Sequence, residues 1–147
     1  MNTTGLAVFD QTLQQTHEWL KDLMYEMGWE DSQLAYKGLR ATLQTLRDRM
    51  TPEEAVHLGA QLPMLIRGFY YEGWKLSDIP WKIRHKDDFY NRIKEIMADD
   101  TLDIDYEQLT RAVFKLLEHR ISKGETEDIK SILPKELAEL WPHDPEK

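Results

Sequence analysis

The stretch Leu46-Arg47-Asp48-Arg49-Met50-Thr51-Pro52-Glu53-Glu54 has a counterpart in Leu117-Glu118-His119-Arg120-Ile121-Ser122-Lys123-Gly124-Glu125, at a shift of 71 positions. In the first copy Thr51 is placed to cap a helix. Pro52 then falls at the first helical position, where a missing N–H costs nothing, and Glu54 at the third, where its carboxylate can reach back to the cap. Ser122 and Glu125 repeat the same capping box. The register holds without a gap from Arg40-Ala41 against Arg111-Ala112 to Tyr70 against Trp141, and it sets Leu62-Pro63 against Leu133-Pro134. Cap, apolar stripe and Leu-Pro break recur together.

Upstream of this stretch, Phe9, Leu13, Thr16, Leu20, Leu23, Met24 and Met27 recur at steps of three and four, the signature of one helix face, with Gly28 as its C-terminal cap. Asp31 or Ser32 caps a second helix, whose stripe runs through Ala35, Leu39, Leu43, Leu46 and Met50; the helix is expected to stop near Arg49. A third helix carries Ala55, Val56, Leu58 and Leu62. Pro63 marks a kink or a fresh start into the apolar segment Met64 to Tyr71, and Gly73, Ser77, Asp78 and Pro80 make a loop. Phe89, Ile93, Ile96 and Met97 form the next stripe, and after an acidic break Tyr106, Leu109, Val113, Leu116 and Leu117 form another. Leu20-Lys21-Asp22-Leu23-Met24 pairs with Ile93-Lys94-Glu95-Ile96-Met97 at a shift of 73, so the second copy is expected to have the shorter connection.

The fold expected is all-α: a single-domain bundle of two tandem, pseudo-repeated helical units, each covering the other's apolar face. Copy one spans about 6–74, a linker about 75–85, copy two about 86–141 and a tail 142–147. At 147 residues, 41% hydrophobic and 31% charged, the chain is long enough to bury a core and is composed like a globular protein. It has no cysteine, which excludes disulfides, thiolate metal sites and thiol nucleophiles and accords with a reducing cytoplasm. The start lacks the pattern of a secretory signal, and no apolar run is long enough to span a membrane.

The net charge of -8 argues against nucleic acid and anionic lipid as partners. The basic stretch Lys82, Arg84, His85, Lys86, Arg92 and Lys94 is interrupted by Asp87, Asp88 and Glu95 and reads as a solvated helix face. The five histidines form no local ligand pattern, so no metal or other cofactor is expected. Phosphate loops, nucleophile elbows and dinucleotide fingerprints do not occur, and no residue is assigned a catalytic role.

The most distinctive segment is Leu62 to Trp74, which sets Arg67, Tyr70, Tyr71, Glu72 and Trp74 close together, with Trp81 beyond it. These six are the candidate binding residues, and a buried aromatic plug between the halves is the structural reading of the same side chains. As a surface they suit a helical module that binds another protein or itself. The alternative is a small-molecule binder or enzyme with a cleft between the repeats lined by Arg67, Tyr70 and Tyr71.

Thr4-Gly5-Leu6, Val8-Phe9-Asp10, Trp19-Leu20, Leu39-Arg40-Ala41, Leu46-Arg47-Asp48-Arg49 and the run from Leu58 to Trp74 together resemble an uncharacterised prokaryotic family, the domain of unknown function 2267, over nearly the whole chain. Arg111-Ala112-Val113-Phe114 and Leu133-Pro134 agree with it. The resemblance implies an all-helical, cytoplasmic bacterial or archaeal protein, and it supplies no catalytic residues.

Overall fold

The computed structural model describes residues 4–78, 82–99 and 101–142. Eight α-helices and no strand occur among them: α1 (Ala7–Met27), α2 (Ser32–Arg49), α3 (Pro52–Gln61), α4 (Met64–Tyr71), α5 (Lys86–Met97), α6 (Tyr106–Arg120), α7 (Lys123–Ile132) and α8 (Lys135–Ala138), with one 3-10 turn at Leu76–Asp78. The protein is all-α.

The boundaries follow local chemistry. Asp31 caps α2 by accepting from the backbone N–H groups of Gln33 and Leu34. Thr51 Oγ1 accepts from Glu54 N at 3.2 Å, and Ser122 Oγ accepts from Glu125 N at the same distance. Gly28 ends α1 in the left-handed region, at φ 69°, a conformation glycine adopts without a Cβ penalty. Pro63 and Pro134 each stand before a fresh helix with nearly the same backbone angles (φ -56°, ψ 152° and φ -55°, ψ 152°).

Helix α2 lies at the centre, packed by α1, α4, α5 and α6, and almost every residue from Gly38 to Asp48 is buried. That burial exceeds the single stripe expected from the sequence, because a helix surrounded by four neighbours has no solvent face to spare. Packing between the halves is crosswise. Helix α1 lies against α6, α5 lies against α2, and α3 touches α7. Tyr70 and Trp141, which share a register position, are both fully buried. Trp141 stacks on Phe114 with ring centroids 4.4 Å apart.

Helix α1 departs from its expected stripe. Thr12, Thr16, Trp19 and Leu23 are its buried residues, whereas Phe9 and Leu13 face outward. The N-terminal half of α1 meets α4 through Thr12, whose Oγ1 accepts from Leu65 N at 2.9 Å. A polar contact there turns the neighbouring apolar side chains outward. No helix among the described residues is long and apolar enough to cross a membrane.

Candidate functional site

The segment singled out in the sequence is explained first by helix ends. A helix leaves its last carbonyls without intrahelical partners, and in a buried setting side chains must supply them. At the end of α3, Arg67 donates from Nε to Gly59 O and from Nη2 to Leu62 O, both at 3.0 Å. At the end of α4, Gln44 Nε2 donates to Phe69 O at 2.7 Å, and Arg47 Nη1 donates to Tyr70 O at 2.7 Å and Glu72 O at 2.9 Å. Arg47, 3% exposed, also grips Asp48 with a two-pronged pair at 2.8 and 3.1 Å.

Of the six candidate binding residues, Tyr70 lies wholly in the core. Its hydroxyl donates to Ala55 O at 2.7 Å, and burial pushes its pKa well above the ordinary tyrosine value. Tyr71 is half-buried, with its ring tilted against Tyr70 and against Trp74, at centroid distances of 4.9 and 5.5 Å. Its hydroxyl lies over Gly59, where a Cβ would stand only 2.2 Å away. Arg67 is exposed but its guanidinium is bonded to the α3 carbonyls. Glu72 is exposed, with its carboxylate 3.5 Å from Arg40. Trp81 lies outside the described residues. The structure therefore gathers Tyr70, Tyr71 and Trp74 into one aromatic stack facing α3, with Arg67 beside it as a helix cap.

Exposed apolar side chains cluster elsewhere. Leu6, Val8, Phe9 and Leu13 along the start of α1, with Met64 and Leu65 at the start of α4, are each between 36% and 51% exposed, gathered about the Thr12–Leu65 hydrogen bond. Next to them a depression of about 360 Å³ is walled by Gln15, Glu18, Trp19, Gln61, Leu62, Pro63 and Arg120. A larger hollow of about 480 Å³, lined by Glu26, Glu107, Gln108, Arg111 and Lys115, lies between α1 and α6, away from Arg67 and Tyr70.

A second, polar cluster sits where α3 meets α7. Both capping boxes are made by their hydroxyl halves alone, and neither glutamate carboxylate returns to its own cap. The Ser122 N–H, which Glu125 would serve in a complete box, donates to Gln61 Oε1 at 2.9 Å. Glu54 and Glu125 instead face each other, and His57 joins them. One ligand atom from each of the three lies within 4.8 Å of the others. Glu125 is 7% exposed, and Oε2 of Glu54 and Oε2 of Glu125 are both buried without a hydrogen-bond partner. Burial, then the hydrogen bond and charge of Glu54 and the charge of Asp128, push the Glu125 carboxyl up to about 8. The histidine spacings in the sequence missed this grouping because Glu125 comes from the other half of the chain.

The basic stretch before and along α5 is partly spent on local acids. His85 Nδ1 lies 3.1 Å from Glu136, the Lys86 N–H donates to the same carboxylate, and Arg92 approaches Asp48 and Glu95.

A family described as "Uncharacterized conserved protein (DUF2267)" matches residues 16–140. The chain belongs to this family. Among curated proteins none matches it. The span matched by DUF2267 takes in α2 to α8, the buried Arg47–Asp48 pair and all of the Glu54–His57–Glu125 cluster, and it begins after Phe9 and Leu13 on the exposed turns of α1.

Proposed function

We propose that the protein is a non-enzymatic helical interaction module, acting in the cytoplasm, that holds a short amphipathic helix of a partner protein against the start of α1 and α4. The carrying observation is the outward set of Leu6, Val8, Phe9, Leu13, Met64 and Leu65. Exposed apolar side chains that lie together are what partner sites present, whereas single exposed apolar residues are ordinary. The adjoining depression beside Trp19 and Pro63 offers a place for one anchoring side chain. Charge selects the occupant. The chain carries a net charge of -8, so a basic helix is attracted while a second copy of this acidic chain is repelled.

The two halves are read as a duplicated unit, supported by the matched caps, the matched proline breaks and the crosswise contacts of α1 with α6 and α5 with α2. A small-molecule cleft lined by Arg67, Tyr70 and Tyr71 has less support, since the Tyr70 hydroxyl and the Arg67 guanidinium are already bonded to backbone carbonyls.

The test uses two labelled synthetic helices with the same leucine face, one flanked by lysine and one by glutamate, followed by fluorescence polarisation. The lysine peptide should bind and weaken as salt rises. Changing Phe9→Ser together with Leu65→Ser should reduce binding at least tenfold while leaving the melting temperature nearly unchanged. Equal binding by that variant would remove the face from the account. A concentration-dependent dimer in sedimentation, abolished by Phe9→Ser, would assign the face to a second copy and sink the partner reading.

A further inference from the structure

Glu54, His57 and Glu125 offer two carboxylates and an imidazole, brought together from α3 and α7 across the junction of the halves. Carboxylates buried this far are ordinarily satisfied by a Lys, an Arg or several N–H donors. Here neither glutamate has a Lys or Arg partner among the described residues. The nearest basic group is the His57 ring, with Nδ1 3.9 Å from Glu54 Oε2. Glu125 is more than nine-tenths buried, one of its oxygens has no hydrogen-bond partner, and a carboxylate oxygen of it reaches the Glu54–His57 group. The backbone N–H that its capping box would have given it is taken by Gln61.

We propose that Glu54, His57 and Glu125 bind a divalent first-row transition cation of the zinc type, which joins α3 to α7. Imidazole nitrogen with carboxylate oxygen is the donor chemistry of such ions, whereas magnesium and calcium prefer sets made of oxygen. Ligand distances near 2.1 Å place tetrahedral donors about 3.4 Å apart. The cluster is already drawn to within 4.8 Å, and the half-exposed His57 side chain is free to close the remainder by rotation. Three protein ligands leave a coordination position for water on the open side, where His57 meets solvent. A cation here takes the place of the proton that Glu125 otherwise holds against Glu54, and ties α3 to α7 beside the Gln61–Ser122 hydrogen bond.

The full chain, stripped with EDTA and dialysed, is titrated with zinc chloride by calorimetry at neutral pH and melted with and without the metal. One zinc per chain and a rise in melting temperature of several degrees are expected, with no rise in millimolar magnesium chloride. His57→Ala, an exposed change that leaves the core intact, and Glu125→Gln, which keeps the side-chain volume, should each weaken zinc at least tenfold. His119→Ala should leave it unchanged. Absence of heat and of any melting shift would overturn the proposal. So would zinc affinity that is unchanged in His57→Ala, or lost in His119→Ala, since either places the metal on other histidines. Should Glu125→Gln fail to fold, the His57 and His119 variants decide alone.

Discussion

Replacing Arg47 with alanine should be among the costliest single changes on the surface of α2 that faces α4. Arg47 is 3% exposed and Asp48 4%, so the pair is out of water and its charges are held by one another. With Arg47 gone, the nearest cation to Asp48 is Arg92, at 3.8 Å, which is too long for a good hydrogen bond. Removing one partner of a buried ion pair costs about 3–5 kcal/mol, mainly because the other charge is left uncompensated. The same change strips the Nη1 donor from Tyr70 O and Glu72 O at the end of α4; Gln44 Nε2 still reaches Glu72 O at 3.4 Å, while an orphaned Tyr70 O costs about 1–3 kcal/mol when no water reaches it. The terms overlap, so about 4 kcal/mol is expected, a large share of the roughly 5–15 kcal/mol that stabilises a domain. For a chain of this size that lowers the melting temperature by roughly 8–16 °C, at about 2–4 °C per kcal/mol.

The assay is urea denaturation followed by helical circular dichroism, run as a cycle with Asp48→Ala and the double variant. The double variant should be more stable than Arg47→Ala alone, because it removes the charge that the single change abandons. Arg47→Lys should recover little, since an ammonium cannot reproduce a fork that binds a carboxylate and two carbonyls at once. A cost below about 1 kcal/mol for Arg47→Ala, or a double variant equal to the sum of the singles, would refute the assignment of Arg47 as both counter-ion and helix cap.

Two other expectations rest on side-chain contacts elsewhere in the fold. Gly59→Ala puts a methyl group 2.2 Å from Tyr71 Oη and 2.6 Å from Cζ, so the ring must leave its place beside Trp74. Denaturation should show a loss of about 1–2 kcal/mol. In a Tyr71→Ala background the same change should turn neutral or favourable, because alanine is a better helix residue than glycine by about 1 kcal/mol. The exposed His85–Glu136 bridge gives a pH dependence. Glu136, by its hydrogen bond and its charge, raises the His85 pKa above 6.5, so that contribution is full below 6.5 and lost as pH rises through the raised value. The Lys86 N–H and then His85 hold the Glu136 pKa below 4.5, so its contribution is present above 4.5 and lost as pH falls through the lowered value. The melting-temperature difference between the protein and Glu136→Gln should therefore peak between pH 4.5 and 6.5. A difference that stays flat to pH 8 would dismiss the bridge.

Most helix boundaries were readable because they are set by local chemistry. Asp31, Thr51 and Ser122 cap the helices they precede, and Pro63 interrupts the chain where the sequence places the break. Which face each helix buries was less readable. Periodicity assumes one wet side and one dry side. That assumption fails for α2, whose Thr42, Gln44, Thr45, Arg47 and Asp48 are buried with its leucines, and for the first turns of α1, where Phe9 and Leu13 stay outside. The aromatic segment was conspicuous in the sequence for a reason of construction. Two short helices meet at Pro63, and Arg67, Tyr71 and Gly59 are what that junction requires.

The Glu54–His57–Glu125 cluster shows how a correct local reading can hide a site. Each glutamate stands third after its cap, where a capping box fully accounts for it, so sequence gives no reason to look further. Both boxes, however, occupy the same register position, and α3 and α7 are neighbours. Two helices with matching positions, set against each other, place equivalent side chains face to face, here one carboxylate against another. The information was in the sequence only as a product of two readings, the register match and the crosswise packing, and the second becomes visible only in three dimensions. Gln61 completes the case. It takes the Ser122 N–H, so Glu125 does not finish its helix cap and lies instead against Glu54 and His57.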